Sequence, residues 1–145
     1  MNLLLDTHIA IWALNDDPAL SEKARDLILD ADNTIYYSTV SVWEVLLKHA
    51  RRPDNIPFDE KDFYEGCREA GFIPLALADK HILAVRTLSR PTDIKPHNDP
   101  FDRLLLAQAK VENLSFLTHD VRIPGYEEKC VIPVNKTEGQ STALR

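Results

Sequence analysis

The stretch Asn2-Leu3-Leu4-Leu5-Asp6-Thr7-His8 decides the fold. Three leucines in a row form a short continuous apolar run, the pattern of a parallel strand buried on both faces. The run closes on an acid, Asp6, where a solvated strand end would more simply carry a turn residue. Thr7 is a candidate N-cap for a helix over 8–14, which stops at the turn-rich Asn15-Asp16-Asp17-Pro18.

Outward from this start the chain keeps alternating strand-like and helical patterns, which predicts an α/β fold on a parallel sheet. Ser21 caps a predicted helix over 22–31, with Ala24, Leu27, Ile28 and Ala31 at helical spacing. Thr34–Ser38 is β-branched and aromatic, hence strand two. Ser38 or Thr39 caps a helix reaching about Arg51. Asp59 caps another to about Ala70, closed by Gly71. Phe72–Ala76 is the third predicted strand, 78–88 a helix and 89–98 a proline-containing loop. Asp99 caps a helix to Glu112. Ser115–Thr118 is strand four, and Cys130–Val134, interrupted by Pro133, is a predicted edge strand. Residues 1–134 are expected to form one domain and the polar 135–145 a frayed tail.

The chain has 145 residues, 44% apolar and 28% charged, with a net charge of −6. That composition suits one soluble globular domain and argues against disorder. The apolar runs are too short for a membrane span, and the N-terminus lacks a signal peptide's basic start, so the cytoplasm is the expected compartment. The acidic balance removes the overall basic footprint of a nucleic-acid binder but leaves room for an enzyme that holds RNA or DNA through metal ions and a local basic patch. Cys67 and Cys130 form no C-x-x-C unit, and each reads as a small buried apolar group.

The chemistry lies in four acids. Asp6 ends strand one, Glu44 sits in the second turn of the helix after strand two, Asp102 opens the helix before strand four, and Asp120 follows strand four. In an open parallel sheet all four positions fall along the carboxyl edge, where ligands bind. Four gathered carboxylates repel one another, and a hard divalent cation with oxygen ligands, Mg²⁺ or Mn²⁺, relieves this. Metal-assisted phosphodiester hydrolysis is the expected chemistry. Every acid but Asp6 also has an ordinary reading; an acid closing a strand of three leucines is more often functional. Asp99 and Asp102 frame a helix start with Pro100 between them, Glu44 pairs with Lys48 four residues on, and Asp120 is a turn residue.

These residues resemble the PIN-domain family and, within it, the VapC-like toxins of bacterial toxin–antitoxin pairs. The matching segments are Leu3-Leu4-Leu5-Asp6-Thr7-His8, Ser41-Val42-Trp43-Glu44-Val45, Asp99-Pro100-Phe101-Asp102-Arg103-Leu104-Leu105-Leu106-Ala107-Gln108-Ala109 and Leu117-Thr118-His119-Asp120. The resemblance implies an α/β/α sandwich on a central parallel sheet and Mg²⁺- or Mn²⁺-dependent endoribonuclease activity. It makes Asp6, Glu44, Asp102 and Asp120 the catalytic and metal-holding acids in that order, with Asp99 able to exchange with Asp102. Thr7 and Ser41 would support the site. An RNA substrate, a cognate antitoxin and a homodimer are the implied partners.

Arg103, next to Asp102, is the expected phosphate contact, with Lys48, Arg51, Arg52, Arg86, Arg90 and Lys95 flanking the crevice. His8, His97 and His119 each neighbour a candidate acid. The helix after Asp6 is apolar on nearly every side, so it is core or a dimer or antitoxin contact, and Trp43 likewise reads as core or interface. Two rival readings remain. A phospho-receiver would use Asp79 after strand three and Lys136 after strand five, which fits poorly; a non-catalytic PIN-like RNA-binding module would keep the acids without turnover.

Overall fold

The leucines of the opening run divide between two cores. Leu3 and Leu5 point into one apolar cluster and Leu4 into the other, as the two-residue period of a strand demands. All three are fully buried, each stabilising the fold by about 2 kcal/mol. A computed structural model describes residues 1–89, 99–120 and 123–135. Strand β1 (Asn2–Leu5) lies in the middle of a five-stranded sheet with β2 (Thr34–Ser38), β3 (Ile73–Leu75), β4 (Ser115–Thr118) and β5 (Val131–Pro133). The order is β3-β2-β1-β4-β5, and every pairing is parallel, with Leu3 opposite both Ile35 and Ser115.

Helices cover both faces. On one, α1 (Thr7–Leu14), α2 (Glu22–Leu29) and α4 (Glu60–Glu69) supply Ile9, Ala24, Phe63 and Cys67 to the core with Leu3, Ile35 and Tyr37. On the other, α6 (Pro100–Glu112) brings Leu105, Leu106 and Ala109 onto Leu4 and Phe116. Helix α3 (Thr39–Arg51) supplies Val45 to the first cluster and Val40 to the second. The fold is an α/β/α sandwich on a parallel sheet. Its strand order reverses between β1 and β4, the point at which open α/β sheets form their ligand crevice.

Local boundaries differ from the sequence reading in ways the side chains explain. Helix α2 stops at Leu29 rather than Ala31, because Asp30 Oδ1 accepts the N–H of Asp32 and turns the chain. The predicted helix over 78–88 is α-helical only as α5 (Asp79–Ala84), followed by a 3₁₀ turn over Val85–Thr87. There Thr87 Oγ1 donates to the Ala84 carbonyl at 2.6 Å, a side-chain bond that competes with helix continuation. Strand β3 begins one residue late and ends one early, and β5 is confined to three residues at the sheet edge, where Pro133 leaves no interior ladder bond unmade. Ser21, Ser38, Asp59 and Asp99 cap their helices as expected, and Gly71, at φ 81°, closes α4. Asp79 lies at the start of α5, but a receiver places β1 between β2 and β3, and this sheet does not. The receiver reading is therefore wrong, and its Lys136 lies outside the described residues, as does most of the expected tail. Among the described residues, no helix is long and apolar enough to cross a membrane.

Candidate active site

The reversal point opens into a cavity of about 450 Å³ lined by Asp6, His8, Glu44, Lys48, Asp99, Asp102, His119 and Asp120. Asp6 is the residue after β1 and Asp120 stands two residues after β4, so two neighbouring strands deliver them side by side. Asp102 arrives from the first turn of α6 and Glu44 from the second turn of α3. The structure thus brings together all four acids picked out in the sequence, with Asp99 beside them.

Glu44 is only 2% exposed, so its reading as a solvated helix face fails. Thr7 Oγ1 donates to Glu44 Oε1 at 2.6 Å and lies 2.8 Å from Ser41 Oγ. Lys48 Nζ donates to Glu44 Oε2 at 2.5 Å. The expectation that Thr7 caps the first helix is corrected: α1 begins at Thr7 itself, Asp6 holds the cap position without a side-chain cap bond, and the Thr7 hydroxyl serves Glu44. Ser41, one turn before Glu44 on α3, buries its hydroxyl against the same group.

Asp6 is also 2% exposed, and its neighbours treat it differently. Burial pushes its carboxyl up from 3.8 to about 6, against the pull of a hydrogen bond from Thr118 Oγ1 to Asp6 Oδ2 at 2.7 Å. Asp102 rises further, to about 9, through burial first and then the charge of Asp6, a hydrogen bond shared with Asp120 and the charge of Asp99. Asp99 spends Oδ1 on the N–H groups of Phe101 and Asp102 at the head of α6. Burial lowers both His8 and His119, and His119 Nδ1 is buried without a hydrogen-bond partner. The rings of His8, Trp12 and His119 pack together, with Trp12 and His119 4.5 Å apart.

Two residues went unnoticed or underweighted in the sequence. Thr118 holds Asp6 and also accepts the Asp120 N–H at 3.0 Å; its signal was a hydroxyl at the end of the strand beside β1. Lys48 was one basic residue among several, and it is the cation inside the cavity. Arg103, the expected phosphate contact, faces away. It lines a separate cavity with Ile82, Leu83, Val85 and Arg86, because successive residues on a helix diverge by about 100° and Asp102 takes the inward direction. Trp43 is 51% exposed and packs edge-on against Phe101, so it is not core. Arg90, Lys95 and His97 lie outside the described residues.

The donor set suits a hard divalent cation: carboxylate oxygens, two of which burial leaves reluctant to ionise without a counter-charge. Among the described residues, no three His, Cys, Asp or Glu side chains already stand arranged to hold an ion. Thr118 donates to Asp6 Oδ2 and Lys48 to Glu44 Oε2, which orients these two carboxylates in the cavity.

This sheet order with a carboxylate-lined cavity at the reversal point defines a class of α/β domain with acidic centres. The sequence profile of the PIN domain matches residues 3–129, and the chain belongs to that family. No curated protein matches it in sequence. Several solved structures share its fold, and two of them come from toxin–antitoxin complexes. One is VapBC2 from Rickettsia felis bound to a DNA fragment from its promoter, at TM-score 0.64 and 17% identity, covering 92% of this chain and 98% of that one. The other is a toxin–antitoxin complex from Klebsiella pneumoniae, at TM-score 0.58 and 16% identity, covering 93% and 99%.

Proposed function

We propose that this chain is a metal-dependent endoribonuclease, the toxin of a toxin–antitoxin pair. The observation that carries the reading is the gathering of Asp6, Glu44, Asp102 and Asp120 in one cavity, with Asp6 and Asp102 held well above ordinary carboxylate values. Family membership and the toxin–antitoxin complexes among its structural neighbours support the same reading. Asp6, Asp102 and Asp120, with Glu44, are the residues that would hold Mg²⁺ or Mn²⁺. Such an ion would neutralise the carboxylates, lower the pKa of the attacking water and stabilise charge on the departing oxygen. Asp102 is preferred over Asp99 because Asp99 is engaged in capping α6.

The protein's own groups divide the remaining work. Thr7 and Lys48 fix Glu44, and Ser41 backs Thr7. Thr118 aims Asp6. Hydrolysis adds water across a P–O bond: the water loses a proton and the departing ribose oxygen gains one. Asp120, half-buried in the cavity and hydrogen-bonded to Asp102, would take the water's proton. A cognate antitoxin and a second copy of the chain are the proposed protein partners. Trp43, Leu46 and Leu47, exposed along α3, support such contacts. Free Cys67 and Cys130 suit the reducing cytoplasm.

The test is RNA cleavage by the purified chain with Mg²⁺, Mn²⁺ or EDTA, beside Asp6→Asn and Asp102→Asn. Metal-dependent cuts lost in both variants are expected, a fall of about a thousandfold. Cleavage unaffected by EDTA and by both substitutions would overturn the reading. Metal binding with no turnover on any RNA would favour the non-catalytic RNA-binding module instead.

A further inference from the structure

A second cavity, of about 560 Å³, adjoins the acidic one and shares two of its walls, His8 and Lys48. Its other lining residues are Arg51, Arg52, Asn55 and Ile56. No acid lines it, in a chain whose net charge is −6. Lys48 is tied to Glu44, while Arg51 and Arg52 make no ion pair with any described residue. The last turn of a helix favours cations through the backbone dipole, which accounts for Lys48 and Arg51 being there. It does not account for Arg52, one residue past the helix, or for the cations meeting Asn55 in a concave surface continuous with the acids.

We infer that this basic cavity is a phosphate subsite for the backbone of single-stranded RNA, flanking the bond that is cut. The inference rests on the nuclease reading above for its direction. Arginine pairs grip phosphate oxygens through two parallel N–H donors, and Asn55 adds neutral donors. The arrangement answers a difficulty set by composition. A chain this acidic gains no long-range pull on a polyanion, so attraction must come from cations concentrated where the strand passes. Lys48 stands at the junction, facing Glu44 on one side and the arginines on the other, and bridges the two cavities.

The experiment measures binding separately from cleavage. A fluorescein-labelled single-stranded RNA roughly twelve nucleotides long, within the span such grooves cover, is titrated with the full chain in EDTA at several salt concentrations. The Arg51→Ala/Arg52→Ala double variant is compared with Lys61→Ala/Arg68→Ala, which removes the same charge from exposed positions on α4. The subsite predicts about tenfold weaker binding for the first variant alone. It also predicts a salt slope reduced by about 1.4, two contacts at roughly 0.7 each on a single strand. Unchanged melting temperatures check that both variants fold. Equal binding and equal slopes for the two double variants would overturn the subsite, even if the unaltered chain cuts RNA. An unaltered chain that cuts nothing, yet binds with a slope that Arg51→Ala/Arg52→Ala lowers, would remove the nuclease reading and leave the subsite standing.

Discussion

The two ends of the acidic cavity bury Glu44 and Asp6 to the same depth and treat them oppositely. Glu44 receives a lysine and a hydroxyl, one on each oxygen. At the other end Asp6 receives one neutral hydroxyl, and Asp102 faces three further acids. Burial alone therefore does not set the character of a buried acid; the supply of donors does. The Glu44 end is self-sufficient, a fixed wall. The Asp6–Asp102–Asp120 end is under electrostatic strain that the rest of the fold must absorb. Such strain is tolerated at functional positions because something arriving later relieves it.

The sharpest way to break this comparison is to neutralise one acid at each end and read metal-free stability. Glu44→Gln removes a charge-assisted bond and leaves Lys48 half-buried without its partner. A loss of about 2 kcal/mol is expected, discounted because Lys48 is 41% exposed. Asp102→Asn removes the cost of keeping a carboxyl protonated at pH 8, so it should stabilise by roughly 1 kcal/mol there while abolishing cleavage. Chemical denaturation in EDTA reads both. Two changes of the same sign would show that the ends are alike.

The same asymmetry has a pH signature. Asp6 and Asp102 both have folded-state values raised above the ordinary 3.8, to about 6 and about 9. A raised value means that the folded state holds the proton more tightly than the unfolded chain. Their stabilising contribution is complete below about pH 4 and drains away as pH climbs through 6 toward 9. Metal-free melting temperature should fall across that window, and Asp102→Asn should flatten the upper part of the fall. Adding Mg²⁺ at pH 8 should recover stability, since a ligand that binds only the folded state stabilises it. A melting temperature that rises from pH 5 to pH 8 in EDTA would contradict the raised values at the Asp6–Asp102 end.

How much of this was legible in sequence follows the range of the interactions. The parallel sheet and its helices were readable because Leu3-Leu4-Leu5, Thr34–Ser38 and the caps at Ser21, Asp59 and Asp99 act within a few residues of themselves. The acids could be placed on one edge because topology carries strand ends there. What sequence could not supply was which neighbour each side chain would choose. Thr7 looks like a cap, yet its partners lie 34 and 37 residues away. Arg103 looked aimed at Asp102 by adjacency, whereas helical geometry sends neighbours apart. Thr118 shows locally only as a hydroxyl at a strand end; its partner Asp6 stands 112 residues back and could not be read there.

Thr118 also offers the mildest test of the comparison. Its hydroxyl is a neutral donor at the strained end, given to Asp6 Oδ2 while its oxygen accepts the Asp120 N–H. Thr118→Val keeps the shape and removes both bonds. Because the Thr118 bond lowers the Asp6 value, its loss should raise that carboxyl further above 6. Two consequences follow, of the same sign and of different size at different pH. At pH 5 Asp6 is mostly protonated in either protein, so the substitution should cost only the lost bonds, about 1 kcal/mol. At pH 8, in EDTA, Asp6 must ionise without its donor, and the cost should grow. Saturating Mg²⁺ should shrink that extra cost, because the ion supplies the charge that the hydroxyl only approximated. A cost independent of pH and metal would mean that Thr118 fills space in β4 and does not tune Asp6.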